Sequence, residues 1–266
     1  MRYSKRLFSA VLFLAAAFFL TGCAAVYNTA TGRKEYVIIG TRQETALGRN
    51  LDKQILRKYK ASGDEVMGGR LEAIGRRIAD ASDRQDIEHT FKVVESDDIN
   101  AFTIPGGYIY ATTGLMSAAS SDDELAGVMA HEAGHVAARH SIKRLEASLG
   151  YSILSQIAFF FARPDSASEV ERIRNIKKAT NTIYRLIELG YSRQDEMLAD
   201  SLALRYTKKA GYDPVALLTF MEKLLEKEQP ASEWLVFMRS HPHTKQRIEA
   251  IKKQLEEDGF ALYNYN

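Results

Sequence analysis

Apolar residues recur at helical spacing early in the chain and then switch to alternation. Leu47, Leu51, Ile55 and Leu56 share one face of a helix predicted over Thr41–Tyr59, and Val66, Leu71, Ile74 and Ile78 do the same over Asp64–Ala81. His89–Glu95 alternates in the manner of a strand, with Phe91 and Val93 on one face. Phe102–Ile104 and Tyr108–Thr112 read as strands flanking Pro105-Gly106-Gly107, a tight-turn signal. Ser121 followed by Asp122-Asp123-Glu124 marks the capped start of a long helix. Further helices are predicted from Ser192, after Asp213-Pro214, and over Pro242–Glu256. No internal repeat is visible. The pattern predicts a helix-dominated α+β domain over 41–266, built around one small sheet.

The first segment reads as an address. Arg2, Lys5 and Arg6 precede the apolar run Leu7–Leu20, which suits an export signal and is short for a bilayer span. Leu20-Thr21-Gly22-Cys23 resembles the lipobox of bacterial lipoproteins. That resemblance implies a signal peptide over 1–22, cleavage before Cys23, and acylation of that cysteine. Thr29, Thr31 and Gly32 give 23–40 the composition of a lipidated tether. Ala24 stands where Asp would retain such a lipoprotein at the inner membrane, so the expected location is the outer membrane, facing the periplasm.

Composition narrows the function. Thirty-six Lys and Arg against 34 Asp and Glu leave a net charge of +2, without the clustered basic excess of a nucleic-acid binder. Cys23 is the one cysteine, which excludes an intramolecular disulfide and a thiolate metal cluster. The apolar stretch Ile153–Ala162 is about half a bilayer span and reads either as a buried helix or as a membrane-dipping segment.

The chemistry concentrates in His131-Glu132-Ala133-Gly134-His135. On a helix, residues four apart lie about 40° apart and one turn along, so two imidazoles can reach one tetrahedral metal from a rigid face. Glu132 can lean over a water at that metal. Gly134 costs up to about 1 kcal/mol in a helix but lets a neighbouring element approach closely. A hydrolytic site needs a third ligand and an open position. His140, five residues past His135, lies well round the helix and is a poor candidate. Glu196 is the expected ligand, on a helix capped by Ser192, and Asp200 one turn later can accept the N–H of a ligating histidine. His241 has two open roles: a donor to the oxyanion of a tetrahedral intermediate, or a fourth ligand that silences the site. His89 and His243 are expected at the surface.

Several motifs occur in order: Asn100-Ala101-Phe102, Pro105-Gly106-Gly107, Thr113-Gly114-Leu115, the His131–His135 segment, Glu196 with Asp200, and Ser240-His241-Pro242 with Arg247. Together, over about Thr41 to Leu255, they resemble the HtpX-like and prenyl-protease-related zinc peptidases, metallopeptidase family 48. The branch most similar is the periplasmic or lipoprotein one concerned with outer-membrane protein quality control. The resemblance implies a gluzincin-type fold, one zinc per chain held by His131, His135 and Glu196, and Glu132 as general base. Longer quality-control members carry C-terminal helical repeats, and the resemblance, which runs to about Leu255, does not imply partner docking through them.

The implied activity is membrane-anchored zinc endopeptidase cleavage of misfolded or misassembled envelope proteins, with outer-membrane assembly machinery or other proteases as partners. Asn100, Tyr108, Ile109 and Tyr110 are the candidate substrate contacts, because Tyr108–Thr113 could offer an edge for strand addition. Two other classes compete. One is a chaperone-like assembly factor with a silenced zinc site, and the other is a structural envelope lipoprotein without metal.

Overall fold

The computed structural model describes residues 24–148, 190–226, 235–242, 244–260 and 262, together with 174, 181, 182 and 185. The expected signal peptide 1–22, the acylated Cys23, the stretch Ile153–Ala162 and His243 lie outside the described residues. Among them no helix is long and apolar enough to cross a membrane.

Helix α1 (Thr41–Lys58) buries Leu47, Leu51 and Ile55, the stripe its spacing predicts. Helix α2 (Glu65–Ala81) begins where the Asp64 carboxylate accepts the backbone N–H groups of Val66 and Met67, at 2.9 Å each. Strands β3 (Thr90–Val94), β4 (Ala101–Ile104) and β5 (Tyr108–Thr112) form one sheet, in the order β3-β5-β4. β3 runs parallel to β5 with Phe91 opposite Ile109, and β4 runs antiparallel to β5 with Ala101 opposite Ala111. β5 is therefore the central strand, with its backbone groups committed to ladders on both sides. The free edge expected at Tyr108–Thr113 does not exist.

After the short helix α3 (Thr113–Ala118), helix α4 (Asp122–Ala137) starts where Ser121 Oγ accepts the Glu124 N–H at 3.1 Å. From Glu124 to Ala137 every residue of α4 is buried. It is a core helix rather than an amphipathic one, packed against α2, β4, α5 (Arg193–Ala210) and α6 (Val215–Glu226). A Cβ at Gly134 would stand 3.0 Å from the Ala199 carbonyl oxygen and 3.2 Å from Ala199 Cα. The glycine thus sets the distance between α4 and α5, as its place in the sequence suggested. Ser192 and Asp195 form a complete capping box at the start of α5. Gly211, in the left-handed region at φ 78°, ends that helix. Helices α7 (Leu235–Ser240) and α8 (Thr244–Glu257) follow, α8 packing on α5 and α6. The result is the expected helix-dominated α+β fold.

One segment departs from expectation. Within 23–40, β1 (Ala24–Asn28) and β2 (Arg33–Val37) pair antiparallel, so the stretch read as a tether carries a hairpin. Asn28 Oδ1 accepts the Ala30 N–H at 3.0 Å, and Gly32 takes φ 66°, so Asn28 to Gly32 form a turn rather than a loose linker. The hairpin is docked. Lys143 Nζ lies 2.6 Å from Glu35, and Glu146 Oε1 accepts the Ile38 and Ile39 N–H groups at 3.0 and 2.9 Å.

Candidate metal centre

Helical spacing sets His131 and His135 side by side on α4, with their Nε2 atoms 3.0 Å apart. The tight approach at Gly134 brings α5 alongside. Glu196 Oε2 stands 3.4 Å from His131 Nε2, and Glu196 Oε1 stands 3.5 Å from His135 Nε2. Between α7 and α8, His241 turns Nδ1 inward, 3.2 Å from His131 Nε2 and 3.2 Å from Glu196 Oε1. All four side chains are buried, and one donor atom from each lies within 4.8 Å of the others.

These separations suit an ion. Asp200 Oδ1 accepts the His131 Nδ1–H at 2.8 Å, so Nε2 is the nitrogen His131 would offer a metal, and it faces two more imidazole nitrogens and a carboxylate. Hydrogen bonds alone cannot satisfy such a set. Donors held at 2.0–2.1 Å on a tetrahedral zinc are separated by roughly 3.3 Å, within the 3.0–3.5 Å span found here. Glu196 Oε2 is buried with no hydrogen bond of good geometry, although Arg247 Nη1 lies 2.8 Å away as an ion pair. The residues fit a zinc ion.

Charge at the centre is balanced by Arg247, on the buried face of α8. Its Nε and Nη2 each reach Asp200 at 2.7 Å, and its Nη1 donates to the His241 carbonyl at 3.2 Å. Burial alone would raise the Asp200 pKa, but Arg247 and His131 hold it down at about 2. Burial opposes ionisation at Glu196 as well, yet Arg247 and His241 keep its pKa well below the ordinary value. Burial pushes the His135 pKa down to about 3, so this ring is neutral, as a ligand must be. Burial and Arg247 act to lower the His131 value, but Asp200 and Glu196 prevail and hold it at about 9. An incoming cation therefore displaces a proton from His131. Glu132 is fully buried, neither of its oxygens has a hydrogen-bond partner, and burial raises its pKa. Its Oε1 stands 3.3 Å from His241 Nε2.

The structure thus gathers His131, His135, Glu196, Asp200, Glu132 and His241, but it treats the other candidates differently. Asn100 borders the centre indirectly, its Oδ1 accepting the Ser240 hydroxyl at 3.1 Å. Ile109 and Tyr110 are core residues with no exposed surface, on the central strand, and cannot be substrate contacts. Tyr108 faces Lys92 rather than the centre. His89 is half-buried: its Nε2 is enclosed without a hydrogen-bond partner, and burial lowers its pKa to about 4.

His140 is outside the four-residue donor group, but it is not remote from it. Helix α4 stops at Ala137, Arg139 takes φ 58°, and the chain doubles back. His140 Nδ1 then meets His135 Nδ1 at 2.8 Å, while His140 Nε2 lies 3.3 Å from Asp195. Tyr191 stacks on His135 with ring centroids 3.9 Å apart. The sequence carries no signal for Tyr191. The role of Arg247 was open to inference from a cation on the same face as Ile248, Ile251 and Leu255.

Comparison with known proteins places this geometry. The model of peptidase family M48 matches residues 67–255. The chain is 25% identical over 241 residues to the mitochondrial metalloendopeptidase OMA1 of Schizosaccharomyces pombe, covering 87% of this chain and 66% of that one. It is 26% identical over 223 residues to the beta-barrel assembly-enhancing protease of Escherichia coli, covering 81% and 44%. The metalloprotease LoiP of the same organism is 28% identical over 169 residues, 64% of each chain. The chain thus spans about half to two thirds of the length of these relatives. The family match contains α4, α5 and α8, the helices that build the centre, and the chain belongs to peptidase family M48, the zinc metallopeptidases its motifs resemble.

Proposed function

We propose that this protein is a membrane-anchored zinc metalloendopeptidase of the cell envelope that cleaves misfolded or misassembled envelope polypeptides. The observation that carries the reading is the convergence of buried His131, His135, Glu196 and His241 donor atoms within 4.8 Å of one another, beside a Glu132 without hydrogen-bond partners. His131, His135 and Glu196 hold the zinc. When bound, that ion supplies Lewis acidity and makes water nucleophilic near neutral pH. Glu132 takes the proton of the attacking water at Oε1 or Oε2 and returns it to the departing amine. Asp200 fixes the His131 ring through Nδ1, and Arg247 fixes Asp200.

His241 closes the resting site. Its Nδ1 occupies the donor group while its Nε2 lies 3.3 Å from the Ala101 carbonyl of β4, so it is committed on both sides and must leave before substrate enters. β4 is paired on one side only among the described residues, but its four residues are buried and its Ala101 carbonyl already meets His241, so strand addition there requires His241 to move first. The acylated Cys23 provides the outer-membrane anchor, with the domain in the periplasm. The names of two similar bacterial proteins, a beta-barrel assembly-enhancing protease and LoiP, support an envelope role.

The test is cleavage of an unfolded protein such as casein by wild type, Glu132→Gln and His241→Ala, with zinc measured on each. The expected result is zinc in all three, loss of cleavage in Glu132→Gln, and faster cleavage in His241→Ala. Cleavage that survives in Glu132→Gln overturns the proposal. The closure by His241 also favours a second reading, an assembly factor with a silenced site. That reading expects Glu132→Gln to leave cellular function intact.

A further inference from the structure

The β1–β2 hairpin has two unlike faces. In the antiparallel register Ala25 is opposite Tyr36 and Tyr27 is opposite Lys34, so these four side chains share one face. The other face carries the buried Val37 and Asn28, Glu35, which pairs with Lys143 of the domain, and the exposed Val26 and Arg33. The outward face is open: Tyr27 is 61% exposed and Tyr36 76%, and Lys34 and Ala25 are exposed beside them. Two largely exposed tyrosines and an exposed lysine on one period-two face are residue types that suit a bilayer surface. There the aromatic body sits among acyl carbonyls, the hydroxyl meets headgroups, and the ammonium meets phosphate.

Chain length makes the occupant specific. Residue 23 is the residue read as acylated, and β1 begins at Ala24. Consecutive Cα atoms are about 3.8 Å apart, so no slack separates the acyl chains from the hairpin. An acylated Cys23 therefore brings β1 to the headgroup layer, and the face bearing Tyr27, Lys34 and Tyr36 is the one available to lie on it. We infer that this face is a lipid-surface contact that fixes the orientation of the domain on an anionic membrane. The inference rests on the acylation proposed for Cys23. The docking through Lys143 and Glu146 would pass that orientation to the helical stretch 140–148, which starts at His140 beside the metal centre.

The test uses the full-length acylated chain in vesicles of phosphatidylethanolamine and phosphatidylglycerol, with bromine-bearing lipid as quencher. Trp234, the one tryptophan, is replaced by Phe. A single reporter is then introduced as Tyr27→Trp, Tyr36→Trp, or Val66→Trp on α2, with zinc content and circular dichroism checking the fold. The expected result is a blue shift and strong quenching for Tyr27→Trp and Tyr36→Trp, and neither for Val66→Trp. A chain that floats with vesicles and carries acyl groups on Cys23, yet leaves Tyr27→Trp and Tyr36→Trp unquenched, overturns the lipid contact alone. A dimer by sedimentation with unquenched reporters assigns the face to a second copy and overturns it too. Equal quenching at all three positions also overturns it. Mass spectrometry that finds Cys23 unmodified removes the anchoring reading and this contact with it.

Discussion

Around Glu196 the polar side chains are buried and held by contacts from α4, α5 and the α7–α8 segment, whereas on the β1–β2 hairpin Tyr27 and Tyr36 lie open and a few polar contacts hold the element to the domain. At the centre, each charge was taken out of water and is tolerable only because its partners are in place: Arg247 for Asp200 and Glu196, and a cation for the imidazoles. On the hairpin, charges remain partly solvated and contribute little to stability. Substitutions at the centre should therefore damage folding and metal binding together. Substitutions on the hairpin should leave both nearly intact and change where the protein sits.

Arg247→Ala sharpens that contrast most, because it strands two buried carboxylates. It should cost about 3–5 kcal/mol in denaturant unfolding. Arg247→Lys should recover only part of this, since an ammonium cannot reproduce the bidentate contact with Asp200. An unfolding midpoint unchanged by either variant would break the comparison. His140→Ala tests whether the ring behind His135 orients it: zinc affinity should fall about 10–100-fold by competition with a chelator, with the fold retained. Gly134→Val inserts bulk where even a Cβ already meets Ala199 backbone at 3.0 Å. It should cost about 1–3 kcal/mol and weaken zinc as α5 is pushed away.

The smallest effect belongs to the hairpin. Burial would raise the Glu35 pKa, but Lys143, Asn28 and Thr31 outweigh it and leave the value lowered. Its contribution is present above the ordinary glutamate value and is lost as pH falls through the lowered one. Amide exchange over 24–37 should therefore accelerate relative to α1 on acidification below the ordinary glutamate range, while Glu35→Gln should shift global stability by less than about 1 kcal/mol.

The same contrast explains what the sequence disclosed. The centre was legible because its parts obey short-range rules. Four-residue spacing pairs His131 with His135, the same spacing pairs Glu196 with Asp200, and Ser121 and Ser192 cap the helices that carry them. The helices with clear apolar stripes were read within a residue or two. The position of β5 was not legible, because strand order is a long-range property. The Pro105-Gly106-Gly107 turn marks Tyr108–Thr112 as a strand without saying that β3 would pair with it in parallel. The return of His140 depends on one left-handed residue, Arg139, in a stretch that helical spacing would simply continue. The hairpin was hidden because Thr29, Thr31 and Gly32 have linker composition, while the Asn28 side chain that organises the turn is a local detail.

The most direct measurement of the central claim is a crystal structure of the purified protein recorded across the zinc absorption edge. The account expects one zinc ion per chain, bonded to His131 Nε2, His135 Nε2 and Glu196, with His241 at the remaining position and Asp200 on His131 Nδ1. Anomalous density absent from this group, or a Glu196 carboxylate turned away from the paired imidazoles, would contradict it.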